Sequence, residues 1–94
     1  MTVFEWDDAK AEQSREKHGV SFDEAQTVFV DPLAIVGPDP DHSQGEEREI
    51  IVGHSAQGRG LLVSFTERSG AIRLISARLM TRPERKLYEE KKRR

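Results

Sequence analysis

Ninety-four residues, 35% hydrophobic and 34% charged, make one small domain with a thin core and a heavily charged surface. The chain has no cysteine, which excludes disulfide staples and thiol chemistry, and its formal net charge of −2 gives no overall pull toward nucleic acid. No apolar run approaches the roughly 20 residues of a membrane span, and the first eight residues lack a secretory pattern, so a soluble, cytoplasmic protein is expected.

Residues 3–6 alternate weakly and read as a short first strand. Asp7 or Asp8 caps a helix predicted over about 9–17, and Gly19 stops it. That helix has few large apolar residues, so it belongs over an edge of the core. Ser21-Phe22-Asp23-Glu24 is a capping box that opens a second helix, with Phe22, Ala25, Val28 and Phe29 on one face. Asp31-Pro32 ends it, because the residue before proline is pushed out of the α region. Strands follow at 33–36, 49–53, 61–66 and 72–77. An acidic, turn-rich loop over 39–47 separates the first two, and Ser69-Gly70 is a hairpin signal between the last two. Thr81-Arg82-Pro83-Glu84, a second capping box with proline in the first turn, opens a C-terminal helix that ends in four cations. The predicted class is α+β over residues 1–94: two N-terminal helices, an antiparallel sheet of about four strands and a C-terminal helix.

The small net charge hides an uneven distribution. Residues 1–47 carry three basic groups against twelve acidic ones, and residues 48–94 carry twelve against five. Nine of the ten arginines lie in the second half, and arginine is the side chain suited to planar, bidentate contact with phosphate. A polyanion-binding surface in the C-terminal half and ordinary charge pairing between the halves explain this equally well.

Asp39, Asp41, His42, Glu46 and Glu47 cluster in one loop but have no known metal-ligand spacing, and a solvated acidic loop is the preferred reading. No metal site and no cofactor are expected. The chemistry left to His, Glu and Arg includes RNA cleavage, in which the 2′-hydroxyl is an internal nucleophile. A base must take its proton, an acid must protonate the leaving 5′-oxygen, and cations must stabilise the phosphorane. Lys17-His18 offers a group titrating near neutrality beside a fixed charge, although a terminal histidine ordinarily just complements the helix dipole. Glu67-Arg68, Arg73 and Arg78 offer further polar groups, although exposed strand arginines commonly serve solubility. The strand period of two puts Arg73 on the Ile75/Ala77 face and Arg78 on the Leu74/Ser76 face, so they share a face only if a bulge intervenes.

Phe4-Glu5-Trp6-Asp7, Lys10 and Lys17-His18-Gly19-Val20-Ser21-Phe22 closely resemble the N-terminal signature of BrnT family toxins. The resemblance continues through Glu24-Ala25, Val28-Phe29, Asp31-Pro32, Asp41-His42-Ser43, Glu46, Arg48, Gly53 and Gly58-Arg59. It ends with Thr66-Glu67-Arg68, Ile72-Arg73, Ile75-Ser76-Ala77-Arg78, Thr81, Glu84 and Tyr88. It implies a RelE-like fold and a metal-independent ribonuclease that arrests growth. It also implies neutralisation by a BrnA-type ribbon-helix-helix antitoxin, with operator DNA bound only through that antitoxin, in a complex that can hold two toxin copies. The family's catalytic candidates fall on Lys17, His18, Glu67, Arg68 and Arg78, and its RNA-binding candidates on Arg48, Arg73 and Tyr88. Ser14 stands where the family usually has Asn, and Leu79-Met80 where a basic residue and Ala commonly follow the Ile-Ser-Ala-Arg block. The rival reading is a catalytically degenerate module that binds nucleic acid or a partner in operon autoregulation.

Overall fold

The computed structural model describes residues 2–40 and 47–92. Among these, β1 (Val3–Glu5), β2 (Ile35–Pro38), β3 (Glu49–His54), β4 (Gly60–Arg68) and β5 (Ala71–Leu79) form one sheet in the order β1-β5-β4-β3-β2. The helices are α1 (Asp8–His18), α2 (Phe22–Gln26), which runs into a 3₁₀ turn over Thr27–Val30, and α3 (Arg82–Lys92). The α+β class holds, with one correction. The short first strand joins the four expected to make a sheet of five, and that sheet is not wholly antiparallel, because β1 pairs in parallel with β5, Val3 opposite Ala71 and Glu5 opposite Arg73. Three residues carry too short a pattern to announce a pairing across most of the chain.

Local chemistry sets the boundaries. Asp7 Oδ1 accepts the Ala9 amide at 2.7 Å, and Gly19 closes α1 in the left-handed region at φ 68°. Ser21 Oγ accepts the Glu24 amide at 3.0 Å, as the capping box requires. The reciprocal half differs from expectation, since the Glu24 carboxylate turns inward to Ser55 and Arg59. Thr81 and Glu84 form the full box: the Thr81 amide donates to Glu84 Oε1 at 2.9 Å, and the Glu84 amide donates to Thr81 Oγ1 at 3.4 Å. Ser69 and Gly70 both take positive φ, 52° and 82°, as a tight hairpin turn demands.

One face of the sheet is the core. Ile51, Leu61, Val63, Phe65, Leu74 and Ala77 pack against Val20, Phe22, Ala25 and Val28 of the helical layer. Phe29 stands edge-on to both Phe4 and Phe65, with ring centroids 5.2 and 5.0 Å apart, the geometry aromatic quadrupoles favour. On the opposite face a smaller cluster of Val52, Leu62, Met80 and Tyr88 seats α3. Gly60 gives Met80 room there: a Cβ would stand 2.6 Å from Met80 Sδ, so the methionine would have to shift.

Two irregularities of β5 position the site. Its outer edge meets β1 only at residues 71–73, and further along the buried Ser14 Oγ lies 2.9 Å from the Ala77 carbonyl and 3.1 Å from that of Val20. Ser14 therefore ties α1 and the turn after it to the strand. The second irregularity is a bulge. Ser64 pairs with Ser76 and Phe65 with Leu74, which leaves Ile75 as an extra residue.

Candidate nucleic-acid interface

The bulge decides which way the arginines point. Before it Leu74, and after it Ala77, both face the core, so strict alternation is broken between them. Arg73 pairs with Thr66, Ser76 with Ser64 and Arg78 with Leu62, and these three β4 partners share one face by the period of two. Arg73 and Arg78 therefore lie on the same face, opposite the core. This is the exception that strict alternation allowed for, and it replaces the two-face expectation. Arg68 follows Thr66 on that face at the hairpin end.

Arg78 opens onto a cleft of about 290 Å³ lined by Asp39, Arg48, Ile50, Leu62, Ser64, Ser76 and Glu84. Glu84, at the start of α3, grips the Arg78 guanidinium with both oxygens, Nη1 to Oε1 and Nη2 to Oε2, each at 2.8 Å. Those charge-assisted bonds outweigh the effect of burial, and with the Thr81 amide they hold the Glu84 carboxyl down at about 2. Arg78 Nη1 also donates to the Leu79 carbonyl at 3.1 Å. Across the cleft Ser64 Oγ donates to Asp39 Oδ2 at 3.0 Å. Arg73 lies 3.5 Å from Glu5 of the neighbouring β1.

The structure thus brings Arg48, Arg68, Arg73 and Arg78 onto one sheet face, with Arg48 and Arg78 in one cleft. It does not bring all the other candidates with them. Lys17 and His18 are exposed at the end of α1, in the helical layer. His18 follows Ser14 by one turn on the same helix face, and Ser14 is the residue that ties this helix to Ala77 at the outer edge of β5. Glu67 is exposed at the hairpin end, opposite Ile72 and on the core-facing side. Five residues of β5 separate that level from Ala77, about 15 Å at the strand rise, so Glu67 does not partner His18.

Tyr88, expected at the RNA surface, is instead 2% exposed. Its ring lies 4.7 Å from that of His54, and its hydroxyl donates to Asp31 at 2.8 Å. Burial first, and then the Asp31 carboxylate, push the phenol up to about 12. Burial alone would raise Asp31, but the His54 and Leu33 amides and the Tyr88 hydroxyl hold it below the ordinary value. Sequence reasoning missed Glu84 as a site residue because the capping box already accounted for it. It also placed Asp39 in a solvated loop, whereas Asp39 lines the cleft. Asp41, His42 and Glu46 lie outside the described residues, as do Arg93 and Arg94. Among the described residues no group of three or more His, Asp or Glu side chains is placed to hold a metal, and no helix is long and apolar enough to cross a membrane.

No curated protein matches the chain in sequence. A crystal structure of the Brucella abortus ribonuclease toxin BrnT superposes with a TM-score of 0.67 at 21% identity, covering 87% of this chain and 100% of that one. At that identity the likeness concerns the fold. The model of the BrnT family, ribonuclease toxins of type II toxin–antitoxin systems, matches residues 6–84. With most of its length matched in this way, the chain belongs to the BrnT toxin family.

Proposed function

We propose that this chain is an active endoribonuclease that cleaves RNA without a metal, with the arginine-bearing sheet face as its substrate surface. The observation that carries the reading is the bulge at Ile75, which aligns Arg73 with Arg78 on the face that also bears Arg68 and adjoins Arg48. Arginines in a row suit a polyanion, and a cleft walled by a sheet and a helix limits the water around a phosphate. In the cleavage step the 2′-oxygen attacks phosphorus, its proton passes to a base, and the bond to the 5′-oxygen breaks as that oxygen gains a proton. The products are a 2′,3′-cyclic phosphate and a free 5′-hydroxyl. Arg78 and Arg48 stabilise the phosphorane oxygens, while Arg68 and Arg73 hold flanking phosphates. His18, with Lys17 beside it, supplies proton transfer from the edge of β5, where Ser14 anchors α1. Glu67 precedes Arg68 at the hairpin end but faces the other side of the sheet, so it takes no part in the phosphate track. Tyr88 acts indirectly, by seating α3 beside the cleft.

The toxin–antitoxin setting implies an antitoxin partner. Its proposed type is ribbon-helix-helix, with operator DNA contacted only through it. The test is cleavage of a single-stranded oligoribonucleotide in excess chelator and in magnesium. Similar rates, cyclic-phosphate ends and a loss of about 10²–10³-fold in Arg78→Ala are expected. Loss of cleavage in chelator, restored by one metal, overturns the metal-free chemistry. Fully active, folded His18→Ala removes histidine from the mechanism.

A further inference from the structure

We infer that Glu84 is a positioning residue for the cleavage reaction, acting through Arg78, and that the inference rests on Arg78 being the phosphate-contacting arginine proposed above. Three observations carry it. Both carboxylate oxygens of Glu84 meet both terminal nitrogens of Arg78 at 2.8 Å, a fork-to-fork pair that fixes the plane of the guanidinium as well as its place. Glu84 is itself held, since Oε1 accepts the Thr81 amide at 2.9 Å at the entrance to α3. Its side chain is 23% exposed and that of Arg78 36%, and both line the cleft that Arg48 and Ser76 share.

The chain is thus Thr81 amide to Glu84 to Arg78 to phosphate. An arginine side chain has several rotatable bonds, and its contribution to a transition state depends on those bonds being settled before substrate arrives. β5 delivers the Arg78 backbone, and the first turn of α3 delivers the carboxylate that orients its head. A helix-capping glutamate alone would need only the Thr81 contacts. The second, bidentate engagement is what capping leaves unexplained.

Charge and positioning act on different constants in Glu84→Gln, which makes the inference testable. Removing a negative charge from a phosphate-binding cleft tightens RNA binding on electrostatic grounds alone. Releasing the guanidinium slows the chemical step, because misplacement on the scale of an ångström costs up to about 10²-fold. The expected result for Glu84→Gln on a single-stranded oligoribonucleotide is kcat lowered by about 10–10²-fold, with KM unchanged or lower. Thr81→Ala, which removes only the side-chain half of the capping box, serves as the control for helix stability, with thermal melts on both variants. It should share the loss of melting temperature and keep wild-type kcat. A Glu84→Gln protein with wild-type or raised kcat overturns the inference and makes the carboxylate a cap or a competitor of phosphate. A kcat loss in Thr81→Ala equal to that in Glu84→Gln overturns it too, since destabilised α3 would then be the cause. Arg78→Ala run in parallel separates the two levels: full activity there removes the underlying reading whatever Glu84→Gln does.

Discussion

Tyr88 donates its hydroxyl to Asp31 Oδ2 at 2.8 Å, and the same oxygen accepts the His54 amide at 2.8 Å. One carboxylate oxygen thereby joins α3 to the end of β3 and to the turn that precedes β2. Together with the Arg78–Glu84 pair at its first turn, this holds the last helix against the sheet face that bears the arginines.

Removing the hydroxyl leaves the ring in place but takes away a bond to a charged acceptor. Tyr88→Phe is expected to cost about 1–2 kcal/mol, which at about 4–8 °C per kcal/mol is readable in a thermal melt of so small a domain. The phenol also makes stability depend on alkaline pH. Its folded value is raised from 10.0 to about 12, so the stability it contributes is full below pH 10.0 and is lost as pH rises through about 12. Tyr88 is the single tyrosine of the chain, so phenolate absorbance reports it alone. The expected titration lies near 12 and coincides with loosening of α3. A midpoint at the unperturbed value of about 10 would mean that the hydroxyl is not held by Asp31.

Glu24 is 4% exposed, and Arg59 reaches it with Nε at 2.9 Å while Ser55 donates at 2.7 Å. Arg59→Ala strands that carboxylate and is expected to lower the melting temperature, though by less than the loss of a fully buried partner would, because the Arg59 side chain is 39% exposed. The double change Glu24→Gln with Arg59→Met should cost less than the single one, since no charge is left unpaired. Hydrogen bonds from Arg59, and then from Ser55, against the opposing effect of burial, hold Glu24 below its ordinary value of 4.5. A depressed carboxylate contributes stability above its unfolded value and loses it as pH falls through the folded one. Urea midpoints should therefore drop below about pH 4.5, and less steeply in Glu24→Gln. A single variant no worse than the double would show that the pair is not coupled.

The bulge makes a prediction about binding that is separate from catalysis. If Arg73 lies on the RNA track, Arg73→Ala should lower the slope of log affinity against log salt by about 0.7 for a single strand. Arg15, exposed on α1 in the opposite layer, is the control, and Arg15→Ala should leave the slope unchanged. Equal slopes for wild type and Arg73→Ala would place the RNA elsewhere.

Most short-range interactions were determined by the sequence, the Glu24 half of the first capping box excepted. Asp7, Ser21 and Thr81 cap their helices because side-chain oxygens reach amides two or three residues away. Gly19 and Ser69-Gly70 take positive φ for reasons local to the backbone. The apolar faces of α2, β3 and β4 follow from periodicity, and so did the helix–sheet class. The family signature, spread over nearly the whole chain, was legible for the same reason: it consists of residue types at set spacings.

Only the tertiary structure decided the site. One extra residue at Ile75 reverses the facing of everything beyond it along β5, and no sequence period reports where a ladder slips. The pairing of β1 with β5 joins residues nearly seventy positions apart and depends on how α1 and α2 carry the chain across the core. Tyr88 stood among the RNA-binding candidates until the helix was docked on Asp31 and His54. Glu84 looked complete as a cap until Arg78 was brought beside it from the neighbouring strand. In each case the deciding contact is between groups whose proximity is created by folding, so its chemistry does not exist along the chain and appears only when distant segments share a surface.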